Sequence, residues 1–319
     1  MVRKVLLLMS ETGGGHRSAA QAIAAAIKSL AGERSQIDYQ IEMVDALAAG
    51  RFPVSHAPDL YALSTRYFPP LWGWAFHWTN GRLRTRLMVA VFDVLVGKRL
   101  ESTLREKKSH VIVSVHPLLN HVTCRALRRL GWQTPFFTVG TELVTIHRAW
   151  VCPEVDCHIV PTEEARQAAI EYGMPLDKIK LIGPPVHPRF LEEVGNKAQV
   201  RQSLNLAPDL PTLLLVSGGE GTGRVYDFAL AISGLDLPLQ LIVVTGRNKK
   251  LKARLDKVHF NIPARIYGFV DNMPTLMRAA DLIITRAGST TISEALVCGL
   301  PMILNDALPG QEEGNPDYI

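Results

Sequence analysis

Cysteine is scarce in this chain. The 319 residues include four cysteines, which form no CxxC pair and are too few for a disulfide framework. This pattern indicates free thiols in a reducing compartment. The sequence also lacks any run of 18 apolar residues, so we expect no membrane-spanning helix. The apolar run at residues 4–9 is too short for a signal peptide.

Acidic residues are sparse between residues 51 and 150. This segment carries 14 basic and 5 acidic side chains, a net charge of +9, whereas residues 151–319 carry −4. A basic segment of this size predicts an anionic partner, either nucleic acid or acidic lipid head groups. Nucleic acid is the less favoured partner, because the sequence has no recognition-helix or RNA-module signature.

Aromatic residues are concentrated in the same basic segment. The aromatic side chains between residues 53 and 86 are Tyr61, Tyr67, Phe68, Trp72, Trp74, Phe76 and Trp78, and they are followed by Arg82, Arg84 and Arg86. Trp and Tyr favour the boundary between lipid and water, and arginine can bind lipid phosphates. The segment therefore predicts membrane contact. The alternative is a helical lid that packs on the core of its own domain.

The order of predicted strands and helices repeats once along the chain. A strand at 4–9, a glycine-rich turn and a helix at 18–30 have a counterpart in a strand at 212–216, the loop 217–223 and a helix at 225–232. Strands that alternate with helices predict a parallel sheet. We expect an α/β fold with two Rossmann-like, doubly wound domains that face each other across a cleft. The proline pair at 184–185 and the polar segment 192–199 place the boundary between domains 1–190 and 191–319.

The first glycine-rich loop is not a dinucleotide fingerprint, because Ser18 stands where GxGxxG requires its third glycine. His16 stands out instead. It lies at the start of a helix, and hence at the carboxyl end of the sheet, where ligand clefts form. An imidazole there can act as a general base. A helix cap or an anion contact is the other interpretation.

Three loops of the second half have polar compositions that suit a nucleotide sugar. The loop 217–223 lacks the lysine of a P-loop, so it either cradles a phosphate or only turns the chain. Residues 285–291 lead into a helix and suit a pyrophosphate, although Thr291 and Glu294 have the spacing of a capping box. Residues 309–315 suit sugar hydroxyls or form a solvated turn.

Eight motifs, taken in chain order, resemble one family. They resemble the monogalactosyldiacylglycerol synthase and processive diacylglycerol glucosyltransferase family, which is glycosyltransferase family 28-like. The motifs are GGGH (13–16), GTEL..IHRAW (140–150), PPVHPRF (184–190), SGGEGTG (217–223), GRN (246–248), GFVDNM (268–273), RAGSTTISEAL (286–296) and PGQEEGN (309–315). The resemblance covers nearly the whole chain. It implies the GT-B fold, with an N-terminal acceptor and membrane-binding domain and a C-terminal UDP-sugar domain, and it implies that no metal or other cofactor is needed.

The resemblance also implies a role for individual residues. His16 is the catalytic base that activates the diacylglycerol hydroxyl. The backbone at Phe269 and Val270 reads the uracil, Glu294 holds the ribose, and Gln311 with Glu312 holds the sugar. The full donor set is Gly219, Glu220, Asn248, Gly268, Phe269, Val270, Asp271, Asn272, Arg286, Ala287, Gly288, Ser289, Thr290, Thr291, Glu294, Gln311 and Glu312. The acceptor and lipid set is Glu142, His147, Trp72, Trp74, Trp78, Arg82, Arg86, His187 and Arg189.

The activity that the resemblance implies is inverting transfer of galactose or glucose from a UDP-sugar to 1,2-diacylglycerol, giving a β-glycosyldiacylglycerol. The alternatives are transfer to another lipid such as a polyprenyl acceptor, or 2-epimerisation of a UDP-sugar. We expect a peripheral protein on the cytoplasmic face of a membrane, bound to anionic lipids and not to nucleic acid. The family pattern has Asp at Glu142 and Pro-Gly at Ser289-Thr290. It also continues beyond Ile319, so we expect a truncated C-terminal end.

Overall fold

The computed structural model describes residues 2–12, 14–34, 37–48, 50–192, 195–219, 221 and 223–319. These residues form two compact units. The first comprises Met1–His187 together with Pro309–Ile319, and the second comprises Pro188–Leu308. Each unit is built around one parallel sheet.

The first unit contains a six-stranded parallel sheet in the order β2-β1-β3-β4-β5-β6. Its strands are β1 Val2–Met9, β2 Asp38–Asp45, β3 Val111–Ser114, β4 Phe136–Val139, β5 Cys157–Val160 and β6 Ile179–Leu181. Its helices are α1 Gly15–Arg34, α2 Ala57–Tyr67, α3 Pro69–Thr79, α4 Arg82–Lys107, α5 Pro117–Leu130 and α6 Glu163–Glu171. This order is one of the two common doubly wound arrangements.

The strand β1 lies inside this sheet and is buried on both faces. Leu6 and Leu8 pack into one core layer with Ile112, while Leu7 packs into the layer on the other face with Val113. A parallel strand covered on both faces reads as an unbroken apolar run. The prediction of a strand at residues 4–9 is therefore confirmed.

The second unit contains a five-stranded parallel sheet in the order β11-β10-β7-β8-β9. Its strands are β7 Thr212–Val216, β8 Gln240–Val244, β9 Ala264–Tyr267, β10 Leu282–Arg286 and β11 Met302–Asp306. Its helices are α7 Lys197–Ser203, α8 Val225–Ser233, α9 Lys249–Leu255, α10 Met273–Ala279 and α11 Ser289–Val297. If β7 is counted as the first strand, the order across the sheet is 3-2-1-4-5, which is a Rossmann arrangement. The predicted α/β class with two Rossmann-like domains is confirmed.

The sequence predicts that residues 309–319 belong to the second domain. In the structure, the segment Pro309–Ile319 instead packs within the first unit. It contains the short helix α12 Asn315–Tyr318. Glycines allow this close approach. A Cβ on Gly73 would lie 2.5 Å from Pro309, and one on Gly310, which has φ +82°, would lie 2.7 Å from Phe76. The N–H of Gly314 donates to Thr145 Oγ1 at 3.1 Å. Strand alternation could not reveal this, because it does not report which core a terminal segment joins.

The aromatic segment forms α2, α3 and the start of α4, and the side chains of these three helices divide between core and solvent. Phe76, Val89 and Val96 are buried, whereas Trp74, Leu83 and other large apolar side chains are exposed. The packing interpretation therefore holds for part of these helices, and membrane contact stays a prediction for the exposed part. Within the described part of the chain, the structure has no helix of the length and hydropathy that a bilayer crossing requires.

Candidate active site

Each sheet has one switch point. On one side of this point successive strands are added towards one edge of the sheet, and on the other side they are added towards the opposite edge. In the first unit the carboxyl ends of β1 and β3 flank this point, and in the second unit those of β7 and β10 flank it. Ligands of doubly wound sheets bind in the crevice outside these strand ends. His16 follows β1, and the segment Arg286–Thr291 begins at the end of β10. The structure thus brings the main catalytic and phosphate-binding candidates, which the sequence predicted at strand ends, to the two switch points.

His16 is oriented by the backbone that follows β3. Its Nδ1–H donates to the carbonyl oxygen of Val115 at 2.6 Å. Because a carbonyl can only accept, the neutral ring carries its proton on Nδ1 and keeps a lone pair on Nε2. Burial lowers the pKa of His16 to about 4, although the bond to Val115 opposes this shift. The ring is therefore neutral at pH 7 and can accept a proton at Nε2.

Two further aromatic rings, neither singled out from the sequence, lie beside His16. The ring centroid of His116 is 4.5 Å from that of His16, and that of Trp150 is 6.3 Å away. The amide of Asn120 donates to the carbonyl of Trp150 at 3.1 Å. The available signal for His116 was its position directly after the run VIVSV (111–115), a candidate strand, because the carboxyl ends of neighbouring parallel strands meet.

Glu142, predicted to contact the acceptor, is buried inside the first unit. Its carboxyl group accepts a hydrogen bond from the indole N–H of Trp150. Burial raises the pKa of Glu142 to about 8, although this bond and a backbone bond from His147 oppose the shift. The structure therefore places Glu142 where it supports Trp150, and largely in the protonated form at neutral pH.

His147, the other predicted acceptor contact, uses both ring nitrogens within the protein. Nδ1 accepts from the N–H of Ala149 at 3.0 Å, and Nε2 lies 3.2 Å from Thr79 Oγ1. Phe76 packs edge to face against the ring at 5.1 Å. Burial lowers the pKa of His147 to about 4, and Arg148 adds to the effect. The side chain links α3 to the turn at Arg148–Trp150.

The three predicted lipid-binding tryptophans differ in exposure. Trp74 is 61% exposed and Trp78 is 46% exposed, and their rings stack at 5.9 Å. Trp72 is half-buried and packs edge to face against Tyr61 at 5.0 Å. Arg82 and Arg86 are exposed at the start of α4. The outer surface thus contains Trp74 and Trp78, whereas Trp72 belongs to the packing between α2 and α3.

The loop after β7 is tied to the loop after β8. The N–H of Arg247 donates to the carbonyl of Gly219 at 2.9 Å, and the amide of Asn248 donates to Gly221 at 2.8 Å. The other amide atom of Asn248 accepts from Leu251 N at 3.0 Å and caps α9. Asn248 therefore shapes the predicted phosphate loop. Glu220, a predicted donor contact, and Gly13 of the first loop lie outside the described residues.

The predicted diphosphate segment forms the N-terminus of α11. The helix begins at Ser289 after Gly288, and no side chain caps it. The capping-box interpretation of Thr291 and Glu294 is therefore wrong, because Thr291 lies inside the helix. An N-terminus of this kind attracts anions through its N–H groups and its dipole.

The charged groups around α11 include those predicted to hold ribose and phosphate. Arg286 Nε lies 3.7 Å from a carboxylate oxygen of Asp306. Glu294 is half-buried, and burial raises its pKa to about 7, an effect that the charge of Arg189 opposes. Arg189, predicted to contact anionic lipid, is itself half-buried and acts on Glu294 within the second unit. His187, also half-buried, is the last residue of the first stretch of the other unit.

The predicted uracil segment follows the edge strand β9. Phe269 in this segment is 63% exposed, and the guanidinium of Arg247 lies 5.0 Å from its ring centroid. The remaining members of the segment, Gly268, Val270, Asp271 and Asn272, are half-buried or exposed. The segment thus adjoins the loop after β8.

The predicted sugar-binding residues lie in the terminal segment of the first unit. The hydroxyl of Tyr61 donates to Gln311 Oε1 at 3.4 Å, and His77 pairs with Glu313 at 3.1 Å. Glu312 is next to Gln311 in this segment and is partly exposed. Among the described residues, no group of three or more His, Cys, Asp or Glu side chains is arranged to hold a metal ion.

Similar solved structures define the class of the fold. HepE of Anabaena, solved in complex with UDP and glucose, aligns with a TM-score of 0.53 at 15% identity and covers 96% of this chain and 82% of its own. The chain has the GT-B fold of these neighbours, which consists of two Rossmann-like domains. At this identity the likeness shows the fold alone.

Sequence comparison gives the family. The family model described as monogalactosyldiacylglycerol (MGDG) synthase matches residues 16–186, and the glycosyltransferase family 28 C-terminal domain matches residues 214–305. Monogalactosyldiacylglycerol synthase 3 of Arabidopsis thaliana is 38% identical over 328 residues, which is 100% of this chain and 70% of the relative. The probable monogalactosyldiacylglycerol synthase of Glycine max is 37% identical over 327 residues, 99% of this chain and 61% of its own length. The chain belongs to the monogalactosyldiacylglycerol synthase family.

Proposed function

We propose that the protein transfers galactose from UDP-galactose to 1,2-diacylglycerol and so makes a β-galactosyldiacylglycerol. The observation that carries this proposal is His16 at the switch point of the first sheet, with Nδ1–H bonded to Val115 and Nε2 left as a proton acceptor. The names of the relatives support galactose and diacylglycerol. The chain spans 61% and 70% of the two relatives compared above, so the activity of the whole protein is part of the proposal.

In the proposed reaction His16 acts as the general base of a single displacement. Nε2 takes the proton of the diacylglycerol hydroxyl, and the hydroxyl oxygen attacks C1 of the sugar from the face opposite UDP. The bond between C1 and the UDP oxygen breaks, and UDP leaves with the electron pair. One displacement inverts C1, so the product is a β-glycoside.

The second unit supplies the proposed donor site. The N-terminus of α11, at Gly288–Thr291, holds the diphosphate together with Arg286 and takes the role that a metal ion has in other transferases. Segment 268–272 receives the uracil, and Gly219 belongs to the loop that closes on the phosphates. Glu294 binds the ribose hydroxyls. The proposed sugar contacts, Gln311 and Glu312, are supplied by the terminal segment of the first unit.

The outer surface of α2, α3 and α4 is the proposed membrane surface. Residues 60–92 contain four arginines and no acidic residue. Exposed apolar side chains are spread over all three helices: Leu60, Leu63, Tyr67, Phe68, Leu71, Trp74, Trp78, Leu83, Leu87 and Val91. Anionic lipid attracts each nearby basic side chain by about 1 kcal/mol. The protein is thus a peripheral protein of an anionic membrane, on the cytoplasmic face, where its free thiols fit a reducing medium.

The proposal is tested by offering labelled UDP-galactose and UDP-glucose in parallel, with diacylglycerol in anionic vesicles and with EDTA. We expect label in a glycolipid from UDP-galactose, a β-linkage in its NMR spectrum, and no loss of rate in EDTA. If only UDP-glucose gives a labelled glycolipid, the donor is UDP-glucose and not UDP-galactose. If the assay gives a 2-epimerised UDP-sugar and no glycolipid, the protein is an epimerase and the proposed transfer is wrong.

A further inference from the structure

His116 lies beside His16 at the switch point and has no role in the reaction as described so far. The two ring centroids are 4.5 Å apart, and the ring planes are inclined by 61°. His116 is only 4% exposed. A buried polar ring in contact with the proposed base calls for a physical explanation.

The orientation of His16 depends on more than its short hydrogen bond to Val115, because the longer contact of 3.5 Å with Thr141 Oγ1 is made by the same ring atom, Nδ1. The bond from Nδ1–H to Val115 fixes one atom of the ring but leaves the ring able to pivot about the line between donor and acceptor. Such a pivot moves Nε2 away from the acceptor hydroxyl, and a general base must lie within about 3 Å of the proton that it takes. A ring packed against the side of His16 restricts this motion.

His116 is itself held from three directions. It precedes Pro117, which restricts its backbone to the extended region observed, at φ −138° and ψ 127°. Its N–H donates to Ser114 Oγ at 3.3 Å, and the same hydroxyl donates to its carbonyl at 3.1 Å. Its Nε2 lies 3.3 Å from Thr12 Oγ1, in the loop that leads from β1 to His16. The ring is therefore a rigid support.

We propose that His116 is a positioning residue for sugar transfer: its buried ring packs against the imidazole of His16 and holds it with Nδ1 on Val115 and Nε2 open to the acceptor. This inference rests on the proposed role of His16 as the base. It assigns to the segment Ser114–His116 two contacts that orient His16, the carbonyl of Val115 and the ring of His116.

The electrostatics of the pair agree with this role. Burial and the nearby charge of protonated His16 hold the pKa of His116 well below its usual value. When His16 takes the proton of the acceptor, His116 therefore remains neutral. Glu142, whose carboxyl group bonds the indole of Trp150 beside His16, is also largely protonated because burial raises its pKa to about 8. The proton thus stays on the ring that faces the substrate.

The test compares His116→Ala with His158→Ala, which removes another buried histidine. His158 is 1% exposed and bonds Thr138 at 2.7 Å, so both variants lose a packed imidazole. We expect kcat of His116→Ala to fall by about 10- to 100-fold, because a base misplaced by about 1 Å loses this much rate. The KM for UDP-galactose should stay within about twofold. His116→Phe should recover most of kcat, and His158→Ala should keep it.

A second measurement follows His16 directly. In protein labelled with ¹⁵N-histidine, the resonances of His16, assigned with His16→Gln, should report the Nδ1–H tautomer in the native protein and a mixture in His116→Ala. An unchanged tautomer with kcat within twofold overturns the proposal, as do equal losses of kcat in His116→Ala and His158→Ala. If the native protein makes no glycolipid, the proposed function fails, and the tautomer measurement still decides the role of His116.

Discussion

The two switch points are built from different kinds of groups. In the first unit, buried ionisable side chains surround the crevice, and burial shifts the pKa of His16, His116 and Glu142 away from their usual values. In the second unit the corresponding crevice is formed by glycine-rich loops and the N-terminus of α11. The first crevice is thus suited to moving a proton, and the second to holding an anion with backbone groups.

The largest effect should come from the first crevice. His16→Ala removes the proposed base, and we expect transfer to fall by roughly 10²–10⁴-fold, the usual contribution of general base catalysis. The affinity for UDP, measured by calorimetry, should be nearly unchanged, because the proposed diphosphate site belongs to the other unit. A variant that lost UDP binding but kept transfer would contradict the division of roles.

The matching change in the second crevice should have the opposite pattern. Arg286→Ala removes a cation beside the N-terminus of α11, and one charge-assisted hydrogen bond contributes about 1.5–3 kcal/mol. We expect the KM for UDP-galactose and the Kd for UDP to rise by about 10- to 100-fold. Arg286→Lys, which keeps the charge but not the paired geometry, should have an intermediate affinity. Unchanged UDP affinity in Arg286→Ala would remove this residue from the donor site.

Predictability from the sequence also differed between the two crevices. The strand pattern and the glycine-rich loops placed His16 and the segment 286–291 correctly at strand ends, because local sequence determines where a parallel strand ends and a helix begins. The pairings of His147 with Thr79 and of His116 with His16 join residues that are distant in sequence. They depend on which strands become neighbours, and residue types alone do not give this.

The pH dependence of stability should be a property of the first unit. All five tryptophans lie in that unit, so their fluorescence reports its unfolding. His147 and His158 have pKa values near 4 when folded and 6.5 when unfolded, so below pH 6.5 the unfolded chain binds protons that the folded unit does not. The free energy of unfolding therefore decreases as the pH falls from 6.5 to 4.

Glu142 makes the free energy of unfolding depend on pH in the opposite direction. Its pKa is about 8 in the folded unit and 4.5 in the unfolded chain, so the folded unit keeps a proton that the unfolded chain loses as the pH rises. The Tm measured by tryptophan fluorescence should thus be highest near pH 6.5 and fall on both sides. Glu142→Gln should abolish the fall between pH 6.5 and 8 but keep the acid fall. An alkaline fall of the same size in this variant would contradict the burial of Glu142.

The tryptophans of α3 differ in exposure, and this difference separates membrane binding from core packing within the first unit. Replacing Trp74 and Trp78 together by Ala should weaken binding to anionic vesicles by about tenfold or more, since these rings are the exposed pair and interfacial Trp anchors proteins in bilayers. The Tm should change little. Trp72→Ala is the matched control, and it should lower the Tm while vesicle sedimentation stays near that of the native protein. Equal sedimentation of all variants would indicate that lipids bind elsewhere.

The smallest effect should come from the ion pair between α3 and the terminal segment. His77 and Glu313 are both about half exposed, at 55% and 47% of their side chains, and exposed pairs contribute about 0–1 kcal/mol. Glu313→Gln should therefore change the Tm by no more than about 4 °C. Gly73→Ala, by contrast, drives a methyl group into Pro309 at 2.5 Å and should detach the segment. If the segment is held by packing at its glycines, Gly73→Ala lowers the Tm far more than Glu313→Gln; the reverse order would make the ion pair its anchor.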